Sequence, residues 1–441
     1  MIDTKNMKKY LLSGLVALLP LSAPVLAIED GEEASQEDSS WIAIQGGDVY
    51  TGTGSILRGA TVLAEDGKIV EIGYDLYVPE EAEVIDAGGY RVYPGLVAIS
   101  SFGLFGGGTG LQDTVDPFNR SMTLALAGGV TTAVQGNEAA KLKRREIEGL
   151  VLRDDCWVNL SFLVSSPSGK RTLRERFAEA EKYLIAYRQW QEDVKTNKEL
   201  DEPKKPRDSS VVSVLRGEAT ARFSANERTD LLEIALLAQQ YGFRPVIEGC
   251  AEGWTVAGEL GRAGARAIVT PRYRRAKSER LTSEGGSSIE NAARLHAAGV
   301  PVAIIPASRG IDLGGIVGRD LMHLPVEASF AVRGGMTEEA ALAGITIEPA
   351  RMLGIDHRVG TLEVGKDCDL VITDGDILHY ETFVQLAVVD GKVVYDKQEE
   401  LFFAHIRPRS EGALAPVERV DPGEEEVADS GEDEGGDEDD D

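Results

Sequence analysis

Short apolar runs alternate with amphipathic helical patterns between residues 94 and 357, and this alternation constrains the fold more than any other feature. Strands are predicted at 157–164 and 219–225, and helices follow them at 172–197 and 227–241. Strand–helix alternation implies a parallel sheet, because parallel neighbours need a crossover connection. At 441 residues, a closed barrel is favoured over an open sheet.

A second group of short strands comes from both ends of the chain. Turn signals separate predicted strands at 60–64, 68–73 and 83–86, and matching strands recur at 369–373, 387–389 and 392–395. Neither group can close a core alone. We therefore predict an α/β protein, a distorted TIM (β/α)8 barrel at 94–358 with a small β-sandwich lobe at 41–93 and 359–403.

The first residues have the composition of an export signal. Residues 1–27 carry Lys5, Lys8 and Lys9, then an apolar run, then a small-residue end at Ala27. This pattern predicts a cleaved signal peptide, with a retained anchor as the alternative. No later segment is long and apolar enough to cross a bilayer. We expect a secreted or periplasmic protein without a stable membrane span after cleavage.

The acidic charge is concentrated in the flanking segments. Residues 28–40 predict an acidic spacer and residues 404–441 an acidic disordered tail, since 421–441 contains no Lys or Arg. The net charge of −28 argues against nucleic acid as a partner, because phosphate binding needs clustered cations. The three cysteines are widely spaced, which indicates neither a disulfide framework nor a structural zinc site.

Three motifs resemble one known family. Residues 86–96 (DAGGYRVYPGL) lead into an apolar strand, residues 127–133 (AGGVTTA) into a second, and residues 346–354 (TIEPARMLG) precede 359–371 (VGTLEVGKDCDLV). These segments are similar to amidohydrolases of the imidazolonepropionase-like group, and the resemblance runs from about residue 41 to 395. It implies hydrolysis of carbon–nitrogen bonds other than peptide bonds, by metal-activated water at the carboxyl ends of barrel strands.

The ligand positions implied by this resemblance carry unsuitable side chains. Family members use His, carboxylate or modified lysine to hold a divalent metal such as zinc. In this chain the corresponding positions are Ser100, Phe102, Ser224, Asn226, Gly249 and Ala307. We therefore expect no metal cofactor and no metal ligands.

The remaining candidates for chemistry are few. None of the five histidines lies at the end of a predicted barrel strand, and His296 reads as a helix-surface residue. Asp320 and His323 are three residues apart and can share a helical face, but two ligands do not make a catalytic zinc site. Glu248 is a candidate general acid or base if burial raises its pKa, and the alternative is a structural Glu paired with an Arg.

Three further features near the strand ends are candidates for function, and each also has a purely structural interpretation. Ser100, Ser224 and Cys250 are candidate nucleophiles without a recognisable His partner. The segment 103–110 is glycine-rich, but it lacks the Lys-Ser/Thr that completes a phosphate loop. The basic loop 270–280 suggests two functional interpretations, binding of an anionic ligand or of the acidic tail, and one ordinary interpretation, a solvated loop. The candidate ligand-binding residues in it are Arg272, Arg274 and Arg275.

These observations lead to one main functional hypothesis and two alternatives. The main hypothesis is an exported amidohydrolase-like protein that has lost its metal centre and serves as a degenerate binding or scaffold protein. Its partner would be a small-molecule ligand or a related active subunit. One alternative is an active hydrolase with a relocated site that involves Glu248, Asp320 and His323. The other is a metal-free Ser or Cys enzyme.

Overall fold

The computed structural model describes residues 39–108, 110–198, 200–279, 282, 284–312 and 318–400, together with the backbone of 418–420. The predicted signal peptide, nearly all of the predicted spacer, His405 and the acidic run 421–441 lie outside these residues. Among the helices that are described, none combines the length and apolar character that a bilayer span requires.

The described strands are listed here in chain order: Trp41–Tyr50 (β1), Ile56–Glu65 (β2), Lys68–Gly73 (β3), Glu83–Asp86 (β4), Arg91–Pro94 (β5), Leu96–Ser101 (β6), Val130–Gln135 (β7), Glu138–Lys141 (β8), Val151–Arg153 (β9), Trp157–Leu160 (β10), Thr220–Ala225 (β11), Val246–Gly249 (β12), Arg266–Val269 (β13), Val302–Ile304 (β14), Leu370–Thr373 (β15), Val384–Val389 (β16), Lys392–Asp396 (β17) and Glu418–Val420 (β18).

The described helices are Leu111–Thr114 (α1), Arg120–Ala127 (α2), Pro167–Asp193 (α3), Ser210–Arg216 (α4), Arg228–Tyr241 (α5), Ala257–Arg262 (α6), Asn291–Ala297 (α7), Leu324–Arg333 (α8), Glu338–Ala343 (α9) and Ile347–Leu353 (α10), with 3₁₀ turns at Gly253–Thr255 and Leu321–His323. The long helix α3 begins earlier than predicted, because Pro167 occupies its first turn, where a missing N–H costs nothing.

Parallel strands form the centre of the molecule. Strands β10 to β14 pair in sequence as one parallel sheet, and β6 pairs in parallel with β7. Backbone hydrogen bonds link the two sets, since Ile304 N donates to Gly344 O and Val97 N to Ile345 O, each at 2.8 Å. Every residue of β7 is buried, as expected for a strand that is covered on both faces. The predicted parallel α/β arrangement is therefore present.

The strands near the two ends of the chain join in a nine-stranded sheet, in the order β17-β16-β15-β5-β1-β2-β3, with β4 and β18 off this path. It has a hydrophobic core of its own, to which Ile44, Val62 and Leu370 contribute. Strand β18 lies inside the range predicted as a disordered tail. That prediction is wrong for these three residues, because their backbone pairs with the otherwise open edge of β4.

A hairpin that the sequence pattern did not predict connects the parallel strands to this sheet. Strands β8 and β9 continue antiparallel from β7 and place Lys141 at the junction. Its ammonium group lies 2.7 Å from Asp367 Oδ2 and 2.9 Å from Asp369 Oδ1, and it also contacts Asp390. The Lys141 side chain is fully buried. We call Lys141 and these three aspartates the junction cluster.

Burial alone would lower the pKa of Lys141, but the three carboxylates outweigh it and raise that pKa. The lysine therefore stays charged. Burial would also raise the pKa of Asp367, yet Lys141, Lys68 and Arg358 lower it to about 2. Burial raises the pKa of Asp369 despite its contact with Lys141. The junction cluster thus fastens the hairpin to the nine-stranded sheet mainly through the charge of Lys141.

Candidate functional site

The end of β6 presents two side chains at the positions that the resemblance assigns to a metal-binding pair. Successive residues of a strand point to opposite faces. Ile99 and Ser101 are buried, and the Ser101 hydroxyl donates to Val134 O at 2.9 Å. Ser100 and Phe102 take the other face, and Phe102 is 79% exposed. This face therefore offers a hydroxyl and a phenyl ring.

The ends of β11 and β12 lie side by side. Ser224 pairs with Glu248 in the strand register, and Ala225 with Gly249. Gly249 has φ +94°, a conformation that side-chain-bearing residues rarely adopt, and a Cβ there would lie 2.5 Å from Asn226 Oδ1. A histidine is therefore excluded at position 249 unless both Asn226 and the backbone move.

Two arginines meet on one carboxylate at this edge. Arg222 Nε donates to Glu248 Oε2 at 3.0 Å, and Arg309 Nη1 lies 2.7 Å from Glu248 Oε1. The Arg222 guanidinium also lies 5.6 Å from the centre of the Trp157 ring. All three charged side chains are partly buried. We call Arg222, Glu248 and Arg309 the strand-end cluster.

The electrostatics of this cluster correct the hypothesis of a raised pKa at Glu248. Burial acts to raise the pKa of Glu248, but Arg222 and Arg309 together outweigh it, and the pKa is lowered. Glu248 is therefore ionised at neutral pH and cannot supply a proton. The alternative interpretation, a Glu paired with Arg, describes its contacts.

The cluster joins distant parts of the chain. Arg222 lies two residues before Ser224, on the same face of β11 by strand alternation. The backbone carbonyl of Arg309 accepts a hydrogen bond from Phe102 N at 2.8 Å, which places Arg309 beside the end of β6. Ala307, between β14 and Arg309, is exposed. The strand-end cluster thus lies where the resemblance places a metal centre.

Asp320 and His323 form a separate pair. His323 Nδ1 lies 2.6 Å from Asp320 Oδ1, and Asp320 Oδ2 accepts from Asp312 N at 3.0 Å. Burial opposes ionisation of Asp320, but the bonds to His323 and the backbone prevail and lower its pKa. The pair is the arrangement of a histidine and the carboxylate that orients it. Among the described residues, no hydrogen bond or ion pair joins it to Glu248.

Cys250 is unsuited to nucleophilic chemistry. Its side chain is fully buried, and burial raises the pKa of its thiol to about 12, so it stays protonated at neutral pH. The neighbouring Glu252 is also buried and accepts hydrogen bonds from Arg228 N at 3.1 Å and Gly286 N at 2.8 Å. Both residues therefore hold the loop after β12 in place.

The three arginines predicted to bind a ligand differ in their contacts. Arg272 Nε donates to Glu327 Oε2 at 2.7 Å, and its backbone N–H donates to Glu327 Oε1 at 2.8 Å. Arg275 pairs with Glu227 at 2.6 Å. Arg274 is exposed and makes no ion pair with a described residue. Of the three, Arg274 alone has its guanidinium available within the described chain.

The residues present do not fit the divalent metal that the resemblance implies. The six implied positions carry two hydroxyls, a phenyl ring, an amide and a methyl group, and the sixth is a glycine without a side chain. A catalytic zinc takes three protein ligands, usually His, Cys or carboxylate, and none of these is present at the six positions. Two guanidinium groups lie at the same edge. In the part of the chain that the structure describes, no three His, Cys, Asp or Glu are grouped to hold a metal ion. We derive no chemical step through such an ion.

Comparisons with known proteins agree with the sequence motifs. The model of the family described as "Amidohydrolase family" matches residues 254–398. Solved structures include an amidohydrolase from Thermotoga maritima, 25% identical, with a TM-score of 0.61 over 80% of this chain and 100% of that chain. These matches confirm the predicted resemblance to the amidohydrolase superfamily.

Curated relatives match over short segments. The imidazolonepropionase of Brucella suis is 59% identical over 39 residues, 9% of this chain and 10% of its own length. An N-acetylglucosamine-6-phosphate deacetylase of Danio rerio is 44% identical over 55 residues, 12% of this chain and 14% of its own length. The matches therefore span a small part of these curated relatives and do not specify an activity.

Sequence reasoning did not identify the two arginines of the strand-end cluster. A signal for Arg222 was present, since it alternates with Ser224 in a predicted strand and shares its face. Arg309 carries no such signal, because it lies in a loop after β14 and meets Glu248 only through the fold.

Proposed function

We propose that this chain is a non-catalytic amidohydrolase-superfamily protein that binds a small carboxylate at the strand-end cluster. The observation that carries the proposal is the pair of arginines on Glu248, since two positive charges share one negative charge there. The cluster has a net charge of about +1, and guanidinium groups bind carboxylates through paired hydrogen bonds.

The proposal includes the finer architecture and location. The parallel strands would close as a distorted (β/α)8 barrel, and the nine-stranded sheet would form the sandwich lobe. The protein would be exported to the periplasm or secreted after removal of residues 1–27. Such a protein would descend from hydrolases of non-peptide carbon–nitrogen bonds without retaining their reaction.

The positive charge of the strand-end cluster supports the proposal that no divalent metal binds there. A divalent ion about 5 Å from a guanidinium group is repelled by roughly 7 kcal/mol at an effective dielectric constant of 20. Glu248 offsets only one of the two arginines. An anion at the same place gains from both, and Ser224, which is exposed beside Glu248, adds a hydroxyl donor.

Metal analysis of the purified full-length protein tests the first half of the proposal. We expect far less than one transition-metal ion per chain after growth with zinc or manganese, and no hydrolysis of N-acylated amino acids when metal is added. A stoichiometric metal whose removal abolishes hydrolysis would contradict the proposal.

Ligand binding tests the second half. We expect N-acetylglycinate to bind more tightly than the neutral N-acetylglycinamide in calorimetry, because only the former carries a carboxylate. Arg309→Gln should weaken N-acetylglycinate binding by about tenfold, the effect of one charged hydrogen bond. Arg262→Gln is the matched control, since Arg262 forms an exposed helix-surface pair with Glu259. Equal affinities for the two compounds would rule out a carboxylate site.

A second candidate function rests on the Asp320–His323 pair, which has the geometry of an oriented general base. In this alternative, the chain is an active hydrolase with a relocated site. Any hydrolysis found should then fall at least about a hundredfold in His323→Gln, the usual effect of losing a general base. His296→Gln, on the surface of α7, should leave such activity unchanged.

A further inference from the structure

A cavity of about 220 Å³ lies at the other end of the parallel strands from the strand-end cluster. Its walls come from the turn after β1, the residue before Pro94, helix α9 and the loop after β15. Tyr93 precedes β6 and Phe102 follows it, so the six residues of β6 separate the two regions by roughly 20 Å. No part of the proposed carboxylate site contributes to it.

The interior of the cavity is aromatic and apolar. Tyr50 and Tyr93 stack with ring centres 4.4 Å apart, and Leu342 of α9 completes the apolar lining. Tyr93 is 1% exposed and its buried hydroxyl lies beside Arg91, so Tyr93 contributes to the cavity by backing the Tyr50 ring and offers no open hydrogen-bonding group.

The charge around the cavity is negative. Asp376 is balanced by Arg91, whose Nη1 lies 3.0 Å from Asp376 Oδ2 and whose guanidinium lies 5.8 Å from the centre of the Tyr50 ring. Glu338 and Glu339 line the same cavity, are exposed and make no ion pair with a described residue. Two carboxylates are therefore free to meet a positive charge.

We propose that this cavity binds a small aromatic amine. The ring of the ligand packs against Tyr50 and Leu342, while its ammonium group pairs with Glu338 and Glu339. An aromatic acid is excluded by the same two glutamates, because it would place a third free carboxylate beside them.

Three probes of similar size test this proposal on the full-length protein: phenethylamine, tyramine and phenylacetate. We expect ligand-observed NMR to show binding of both amines and no binding of phenylacetate at millimolar concentration.

Variants test the contribution of charge. The double variant Glu338→Gln, Glu339→Gln should weaken amine binding by about tenfold, the sum of two exposed ion pairs. Arg262→Gln, at an exposed helix-surface pair outside the cavity, should have no effect on either amine.

Three results would overturn the proposal: no amine binds, phenylacetate binds as tightly as phenethylamine, or the double variant binds amines as well as the parent protein. Thermal unfolding of each variant shows whether a loss of binding reflects a loss of folded protein.

Discussion

The junction cluster and the strand-end cluster both join acidic and basic side chains from distant parts of the chain, but they differ in exposure and origin. The junction cluster buries Lys141 completely among three aspartates, two of which lie in the motif 359–371 that resembles the family. The strand-end cluster is partly exposed and lies where the family's metal centre is expected.

This difference explains why the sequence indicates the family but does not indicate the activity. The motif residues Asp367 and Asp369 hold the hairpin against the nine-stranded sheet, so they support the fold whether or not the protein is an enzyme. The residues that would carry chemistry lie at strand ends, where a change of side chain leaves the core intact. A match to the motif therefore indicates the fold and does not indicate the activity.

The largest expected effect that tests this comparison is at Lys141. Lys141→Met would leave Asp367, Asp369 and Asp390 with fewer positive partners in a buried place, and we expect the free energy of unfolding to fall by about 3–5 kcal/mol. Urea denaturation at pH 7 measures it. Lys392→Met, at an exposed pair with Glu146, should cost less than about 1 kcal/mol. Equal losses would mean that the junction cluster stabilises no more than a surface pair.

The second prediction concerns pH. The pKa of Asp367 is lowered to about 2 from an ordinary 3.8, so its ionised form stabilises the folded state above pH 4. That contribution, about 2 kcal/mol, is lost as the pH falls from 4 towards 2. The stability difference between the parent protein and Asp367→Asn should therefore shrink by about 2 kcal/mol between pH 5 and pH 2. A difference that does not change with pH would contradict the lowered pKa.

The third prediction concerns the space for a larger side chain at Gly249, at the end of β12. Gly249→Ala introduces both an unfavourable positive φ and a contact with Asn226, and we expect a loss of about 2 kcal/mol. Gly217→Ala is the matched control, because Gly217 has φ +75° with open space around it, and should cost about 1 kcal/mol. If the two variants are equally stable, the contact with Asn226 does not exclude larger side chains.

Much of the fold was predictable because its residues obey simple periodicity. Strands β3 and β4 begin and end where the turn signals and apolar alternation placed them. The hairpin of β8 and β9 was not predicted, because β8 buries a lysine that reads as a solvent-facing residue in a basic run. Its burial depends on aspartates far along the chain, and local sequence carries no information about such partners.

The candidate site was predictable to a similar degree. A pairing of Glu248 with an arginine followed from the cost of burying a lone carboxylate. The sequence did not specify which arginines, and a second one was not anticipated. Arg309 reaches Glu248 because its loop is hydrogen-bonded to Phe102 at the end of β6, a contact that only the folded chain creates.

The smallest expected effect on stability distinguishes the two clusters most clearly. Glu248→Gln removes the charge that two partly exposed arginines share, and we expect a loss of about 1 kcal/mol in the free energy of unfolding. The same change frees both guanidinium groups, so N-acetylglycinate should bind several-fold more tightly by calorimetry. A binding site and a structural ion cluster respond in opposite ways, because losing a competing carboxylate helps a ligand carboxylate and harms a scaffold. If affinity falls together with stability, the strand-end cluster is a second structural cluster like the one around Lys141, and the carboxylate-binding function is wrong.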